Sequence, residues 1–129
     1  MRKISFLLMF ATVLMVVPSA FAQSSTFYLQ NTACPLNSTY VGSTTVVWSS
    51  SGEPNNVGVF VSSFPPHSDI GDISLQAAAT SGSSYSPWLE YGYGYRWYLV
   101  AGLDSSDDLP TQIGGSASGT VINGQEIQC

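Results

Sequence analysis

After residue 3 this 129-residue chain has no lysine, and beyond Arg2 its only arginine is Arg96. Nucleic-acid binding draws its affinity from Lys and Arg that neutralise phosphates, so nucleic acid is excluded as a partner, and anionic membrane surfaces with it. Histidine is limited to His67. A histidine triad or metal centre would rest on that one side chain, in a proline-rich loop with no nucleophile motif nearby. Cysteine is limited to Cys34 and Cys129, and two thiols without a Cys/His cluster make no zinc site. Helix signals are missing too: past residue 22 glutamate is sparse and no window sustains a 3.6-residue period.

Residues 1–22 read as a secretory signal peptide. Arg2 and Lys3 supply the positive start, an apolar stretch runs over 4–17, Pro18 breaks it, and Ala20-Phe21-Ala22 is a small-x-small cleavage pattern before Gln23. The stretch is shorter than the ~20 residues a spanning helix needs, and no cysteine follows it closely enough for a lipoprotein anchor. The expected product is residues 23–129, one domain of ordinary size with enough chain for a single core. It is expected to be secreted, to the periplasm or the extracellular space, with no membrane attachment after cleavage. Arg2 and Lys3 leave with the leader, so one positive charge stands against eight negative, a formal −7. In an oxidising compartment the two cysteines suit one disulfide closing a loop of 95 residues. The alternative is an intermolecular bond through the terminal Cys129.

What is present is β-forming. Gly, Ser, Thr, Asn and Pro punctuate short runs of Val, Ile, Tyr, Phe and Trp every ten residues or so, the pattern of an all-β sandwich or barrel. Strands are expected over 26–31, 43–49, 57–62, 72–79 and 95–101, and a hairpin over 120–127. Phe27 and Leu29 share a face in the first; Val46 and Trp48 face one way in the second, and Val57, Val59 and Val61 in the third. The fourth alternates Ile73, Leu75 and Ala77 against Asp72, Ser74 and Gln76. Phe64-Pro65-Pro66-His67 reads as a loop, because proline cannot donate to a ladder. Asn123-Gly124 reads as the tip of a terminal hairpin, since that dipeptide favours positive φ at both central positions.

The most informative segment is 87–101. Tyr95, Trp97, Leu99 and Ala101 fall on one face; Arg96, Tyr98 and Val100 fall on the other, as in a strand with one face in a core. Ahead of it Leu89, Gly92 and Tyr95 form a Leu-x-x-Gly-x-x-Tyr approach. This resembles the tyrosine corner of immunoglobulin-like and fibronectin type III sandwiches, in which the Tyr hydroxyl satisfies backbone groups upstream. Trp48, within Thr45-Val46-Val47-Trp48, is similar to that family's core tryptophan, and the order resembles immunoglobulin-like repeats of exported bacterial proteins. The resemblance spans residues 44–101 and implies a Greek-key β-sandwich with Trp48, Tyr95, Trp97 and Leu99 in its core. The chain departs from antibody-type domains in having Trp48 and Trp97 where their intersheet cysteines stand. It departs from fibronectin modules in Cys129 and the late hairpin. A different Greek-key sandwich or a jelly roll is the competing architecture.

Catalytic chemistry is poorly provided for. Gly115-Ser116-Ala117-Ser118-Gly119 has alanine where a nucleophile elbow needs serine. Gly92-Tyr93-Gly94 lacks a third glycine and precedes a strand, so it is no dinucleotide fingerprint. Asp69 with Asp72, or Glu53 with Glu90, are the carboxylate pairs a glycosidase would need, but no spacing places them. Asp104, Asp107 and Asp108 cluster in a loop with the oxygen ligands calcium prefers, without EF-hand spacing; a solvated turn is the plainer reading. Asn37-Ser38-Thr39 fits a glycosylation sequon. No cofactor and no enzyme activity are expected.

The aromatics remain. Trp88, Tyr91, Tyr93 and Tyr98 are the candidate ligand-binding residues, since alternation and turn placement leave Tyr91, Tyr93 and Tyr98 outside the core. Such rings suit stacking on sugars or packing in a protein interface; as sheet stabilisers they would have no ligand at all. The expected function is extracellular binding or scaffolding without catalysis, the partner a protein or a polysaccharide. A carbohydrate-binding module using the aromatic patch is the first alternative, and a self-assembling surface or matrix subunit the second.

Overall fold

A computed structural model describes residues 24–52, 56–68, 71–103, 113 and 119–129. Seven strands follow one another: β1 (Ser24–Ala33), β2 (Gly42–Ser51), β3 (Asn56–Phe64), β4 (Asp72–Ala78), β5 (Ser81–Leu89), β6 (Gly94–Leu103) and β7 (Thr120–Gln128). They form two antiparallel sheets, ordered β1-β2-β5 and β4-β3-β6-β7. The expected alternation builds the core between them. Phe27, Val46, Trp48 and Leu89 from the first sheet meet Val57, Val59, Val61, Tyr95, Trp97, Leu99 and Ala101 from the second. The molecule is therefore an all-β sandwich. Residues 1–22, expected to be a leader, lie outside the described residues, as do Glu53, Asp69 and the Asp104, Asp107 and Asp108 cluster. Among the described residues no helix is long and apolar enough to cross a membrane.

Polar pins close the sandwich along both long edges. On one side Gln76 of β4 is the extra residue of a bulge, since Val59 pairs with Ala77 and Phe60 with Leu75. Its amide crosses to the other sheet, donating to Ser84 Oγ at 2.9 Å and Ser86 Oγ at 2.7 Å. Its carbonyl accepts from Trp97 Nε1 at 3.0 Å, so the buried indole has a partner. Trp48 Nε1 donates to Ala79 O at 3.0 Å in the connection between the sheets. On the opposite side Gln125 of β7 donates to Phe27 O of β1 at 2.9 Å. Beyond it Cys34 and Cys129 are bonded within the chain, with Cα atoms 5.3 Å apart, joining the end of β1 to the end of β7.

Three expectations are corrected. Asn123-Gly124 is not a hairpin tip: both residues lie inside β7, opposite Leu99 and Tyr98 of β6. Neither has the positive φ that such a turn requires, and Asn123 Oδ1 instead accepts from Gly124 N–H at 2.9 Å beside an irregularity in the ladder. Pairing with β6 from Gly94 to Ala101 outweighs the local turn preference.

The Ser-rich stretch 81–89 is a strand that the residue pattern did not reveal. It has no β-branched residue, but it is an edge strand, and Pro87 falls where the register slips between Gly42/Leu89 and Thr44/Ser86. An edge and a bulge are the two places a sheet tolerates proline.

Val100 is the third correction. It is 0% exposed, although it lies on the face of β6 opposite the main core. There Phe60, Val100, Leu103 and Ile113 form a second buried cluster, flanked by Ile73, Leu75, Tyr98 and Val121. Ile73 and Leu75 of β4 turn to this outer face, whereas beyond the bulge Ala77 packs against the main core, and Gln76 turns inward.

Candidate functional site

The turn from β5 to β6 organises one end of the molecule. Tyr95 Oη accepts from Glu90 N–H at 2.6 Å, and Tyr93 N–H donates to Glu90 O at 3.2 Å, closing the turn over residues 90–93. Gly92 sits there with φ +83°, and an added Cβ would come within 3.0 Å of the Pro66 ring. That position calls for glycine on both counts. Burial pushes the Tyr95 phenol above its ordinary value, against the opposing effect of the Glu90 hydrogen bond. Cys129 N–H donates to Tyr93 O at 2.8 Å, so the disulfide end is fastened to the same corner.

Trp88 is packed against this corner. Its ring meets Tyr95 edge-on at 5.6 Å and stacks on Trp97 at 6.5 Å, yet the residue stays 40% exposed. With Val61, Ser63, Asp72 and Ser74 it lines a recess of about 230 Å³. Trp88 belongs to one sheet and the other four residues to the other, so the recess lies between sheets at the β4–β5 edge. An indole, two hydroxyls and a carboxylate can take a small polyol or a peptide side chain.

The four aromatics singled out from the sequence are not one patch. Tyr91 is exposed in the turn, while Tyr93 is half-buried with its ring 6.2 Å from Tyr95, near the Trp88 end. Tyr98 is half-buried on the outer face of the four-stranded sheet, against the second cluster. Trp48, Tyr95, Trp97 and Leu99 are all in the main core.

Other exposed aromatics were not anticipated. Tyr28 and Tyr85 are 48% and 64% exposed on the three-stranded sheet. Tyr28 was legible as the residue alternating against Phe27 and Leu29; Tyr85 was hidden in the stretch not read as a strand. Leu36, Tyr40 and Val41 are exposed in the β1–β2 connection, around a recess of about 240 Å³ beside Cys34. Asn37 of the sequon lies in this exposed connection, its Oδ1 accepting from Thr39 N–H at 2.9 Å.

Groups suited to chemistry are dispersed. His67 is exposed in the β3–β4 connection with φ 61°. Each carboxylate pair considered above has one member outside the described residues. Among the described residues no three His, Cys, Asp or Glu side chains could hold a metal. Arg96 approaches Glu126 at 3.5 Å across β6 and β7 and lies 4.7 Å over the Phe64 ring, a surface arrangement worth little on its own. No protein-family model, curated protein or solved structure matches the chain.

Proposed function

We propose that this chain is an exported fibronectin type III-like module that binds a protein or polysaccharide outside the cell and catalyses nothing. The observation that carries the reading is the Tyr95-to-Glu90 hydrogen bond at the start of β6, the bond a tyrosine corner is defined by. The strand order supports it: β2 pairs with β5 and β3 with β6, so successive strands cross between sheets as a Greek key requires. The fourth strand stays beside β3, whereas constant-type immunoglobulin domains place theirs on the sheet of the first strand. The intrachain disulfide and the leader pattern of residues 1–22 favour an oxidising destination. Because such sandwiches host many functions, binding is inferred from the exposed aromatics and the poverty of catalytic groups, not from the fold.

The test uses residues 23–129 with the disulfide formed. The protein is incubated with a panel of insoluble polysaccharides and extracellular proteins, and both retention and release of soluble product are measured. Saturable retention without product is the expected result. Product release from any member, or retention on none, overturns the reading. A shift in tryptophan emission that vanishes in Trp88→Ala would place a ligand in the Trp88 recess.

A further inference from the structure

The outer face of the three-stranded sheet joins two exposed tyrosines to a lack of charged residues. None of the residues of β1, β2 or β5 carries a charge. The strand register arranges their outward side chains in rows across the sheet. One row is Tyr28, Val47 and Ser83; the next is Gln30, Thr45 and Tyr85. The row before them is three hydroxyl residues, Thr26, Ser49 and Ser81. Opposite them in the pleat, Phe27, Val46, Trp48 and Ser86 are buried, so these rows face outward. The two tyrosines sit on the outer strands, two strand spacings and one row apart, roughly 12 Å between Cα atoms.

We infer that this face is a docking platform for a neutral polysaccharide, with Tyr28 and Tyr85 as ring-stacking contacts for one chain laid diagonally across the sheet. The inference rests on the module reading above and names its ligand class. Charge complementarity selects the ligand. A surface without cations offers an anionic polymer no counter-charge, and the expected mature chain, at a formal −7, repels one. A neutral polyol loses no ion hydration on docking, and Ser, Thr and Gln side chains supply both donors and acceptors for its hydroxyls. Aromatic rings present apolar faces to the C–H faces of sugars, and tyrosine does so at low conformational cost. The surface fits a protein partner poorly. Val47 and the small Ala33 are its aliphatic residues, arginine and methionine are absent, and serine, which protein interfaces avoid, is abundant.

The experiment measures depletion of residues 23–129 from solution by microcrystalline cellulose, chitin and an insoluble β-1,3-glucan, with alginate as the anionic control. Wild type is compared with Tyr28→Ala/Tyr85→Ala, with Tyr28→Phe/Tyr85→Phe and with Trp88→Ala. All substituted side chains are solvent-accessible, and unfolding midpoints verify that each variant folds. The proposal expects wild-type binding to at least one neutral polymer that persists in high salt, with none to alginate. The alanine pair lowers affinity about 10- to 100-fold and by more than Trp88→Ala does, and the phenylalanine pair stays within a few-fold. Loss in Trp88→Ala with retention in the alanine pair overturns the platform and leaves the module reading standing on the recess. Failure of wild type on every neutral polymer overturns the platform, and the module reading then depends on the protein half of its panel. A dimer in sedimentation that the alanine pair dissociates also overturns it, because the face would then bind a second copy of this chain.

Discussion

Tyr95 illustrates how much one side chain carries. Its ring is in the core, and its hydroxyl accepts the Glu90 N–H at 2.6 Å and so holds the chain at the β5–β6 turn. Tyr95→Phe keeps the ring and removes the acceptor. It should cost about 1–2 kcal/mol, read as a shift in urea midpoint without change of slope. Burial raises the phenol above 10.0, so the folded protein ionises it at higher pH than the unfolded chain does. Its contribution to stability is therefore complete below pH 10 and declines as the pH rises through the folded value. Between pH 9 and 11.5 the wild type should lose more stability than Tyr95→Phe; parallel curves would refute this assignment. Gln76 is a comparable case, because its inward turn depends on a bulge that no residue pattern announced.

At the scale of elements, the strands differ in how legible they were. β2, β3 and β6 are rich in Val, Trp, Tyr and Leu, and their alternation placed Trp48, Val59 and Trp97 correctly because a pleated strand has a period of two. β5 was invisible because its sequence, SGSSYSPWL, is stabilised by pairing with β2 and not by its own propensity. In β7 the Asn-Gly pair is a strong local turn signal that pairing with β6 from Gly94 to Ala101 overrides. The two accounts of β7 differ experimentally. At Gly124 a Cβ would approach Trp97 O no closer than 3.6 Å, an ordinary contact. Gly124→Ala should then leave stability unchanged or raise it by up to about 1 kcal/mol, since the unfolded chain loses freedom. A loss of more than about 1 kcal/mol in thermal or urea unfolding would favour a turn at that position.

For the whole molecule, the question is what keeps two sheets together in a small domain. Gln76 with Trp97, Ser84 and Ser86 joins one long edge; Gln125 with Phe27 joins the other, and Cys34–Cys129 closes the end beyond it. The disulfide closes 95 residues of sequence, which in the chain-entropy treatment is worth on the order of 4–5 kcal/mol. Reduction, or Cys34→Ser with Cys129→Ser, should lower the urea midpoint by a large fraction of the total stability while leaving the far-ultraviolet spectrum of the native state intact. On a non-reducing gel the native protein should run as a monomer. Unchanged stability on reduction would mean that the polar pins and the core suffice.

The amino-acid sequence by itself determined the all-β class, most of the strands, the core face of β6, the corner at Tyr95 and the cysteines available for pairing. These follow from side-chain period, turn chemistry and composition, which act over a few residues. Tertiary structure decided which side of each sheet meets solvent and which meets a second layer. It buried Val100 on the face expected to be exposed, turned Gln76 inward and split the aromatic run between the Trp88 recess and the outer face at Tyr98. It also brought Tyr28 and Tyr85, 57 positions apart in the chain, onto one uncharged surface. Strand order, register and bulges set those outcomes, and they depend on pairings between distant segments that no local pattern encodes.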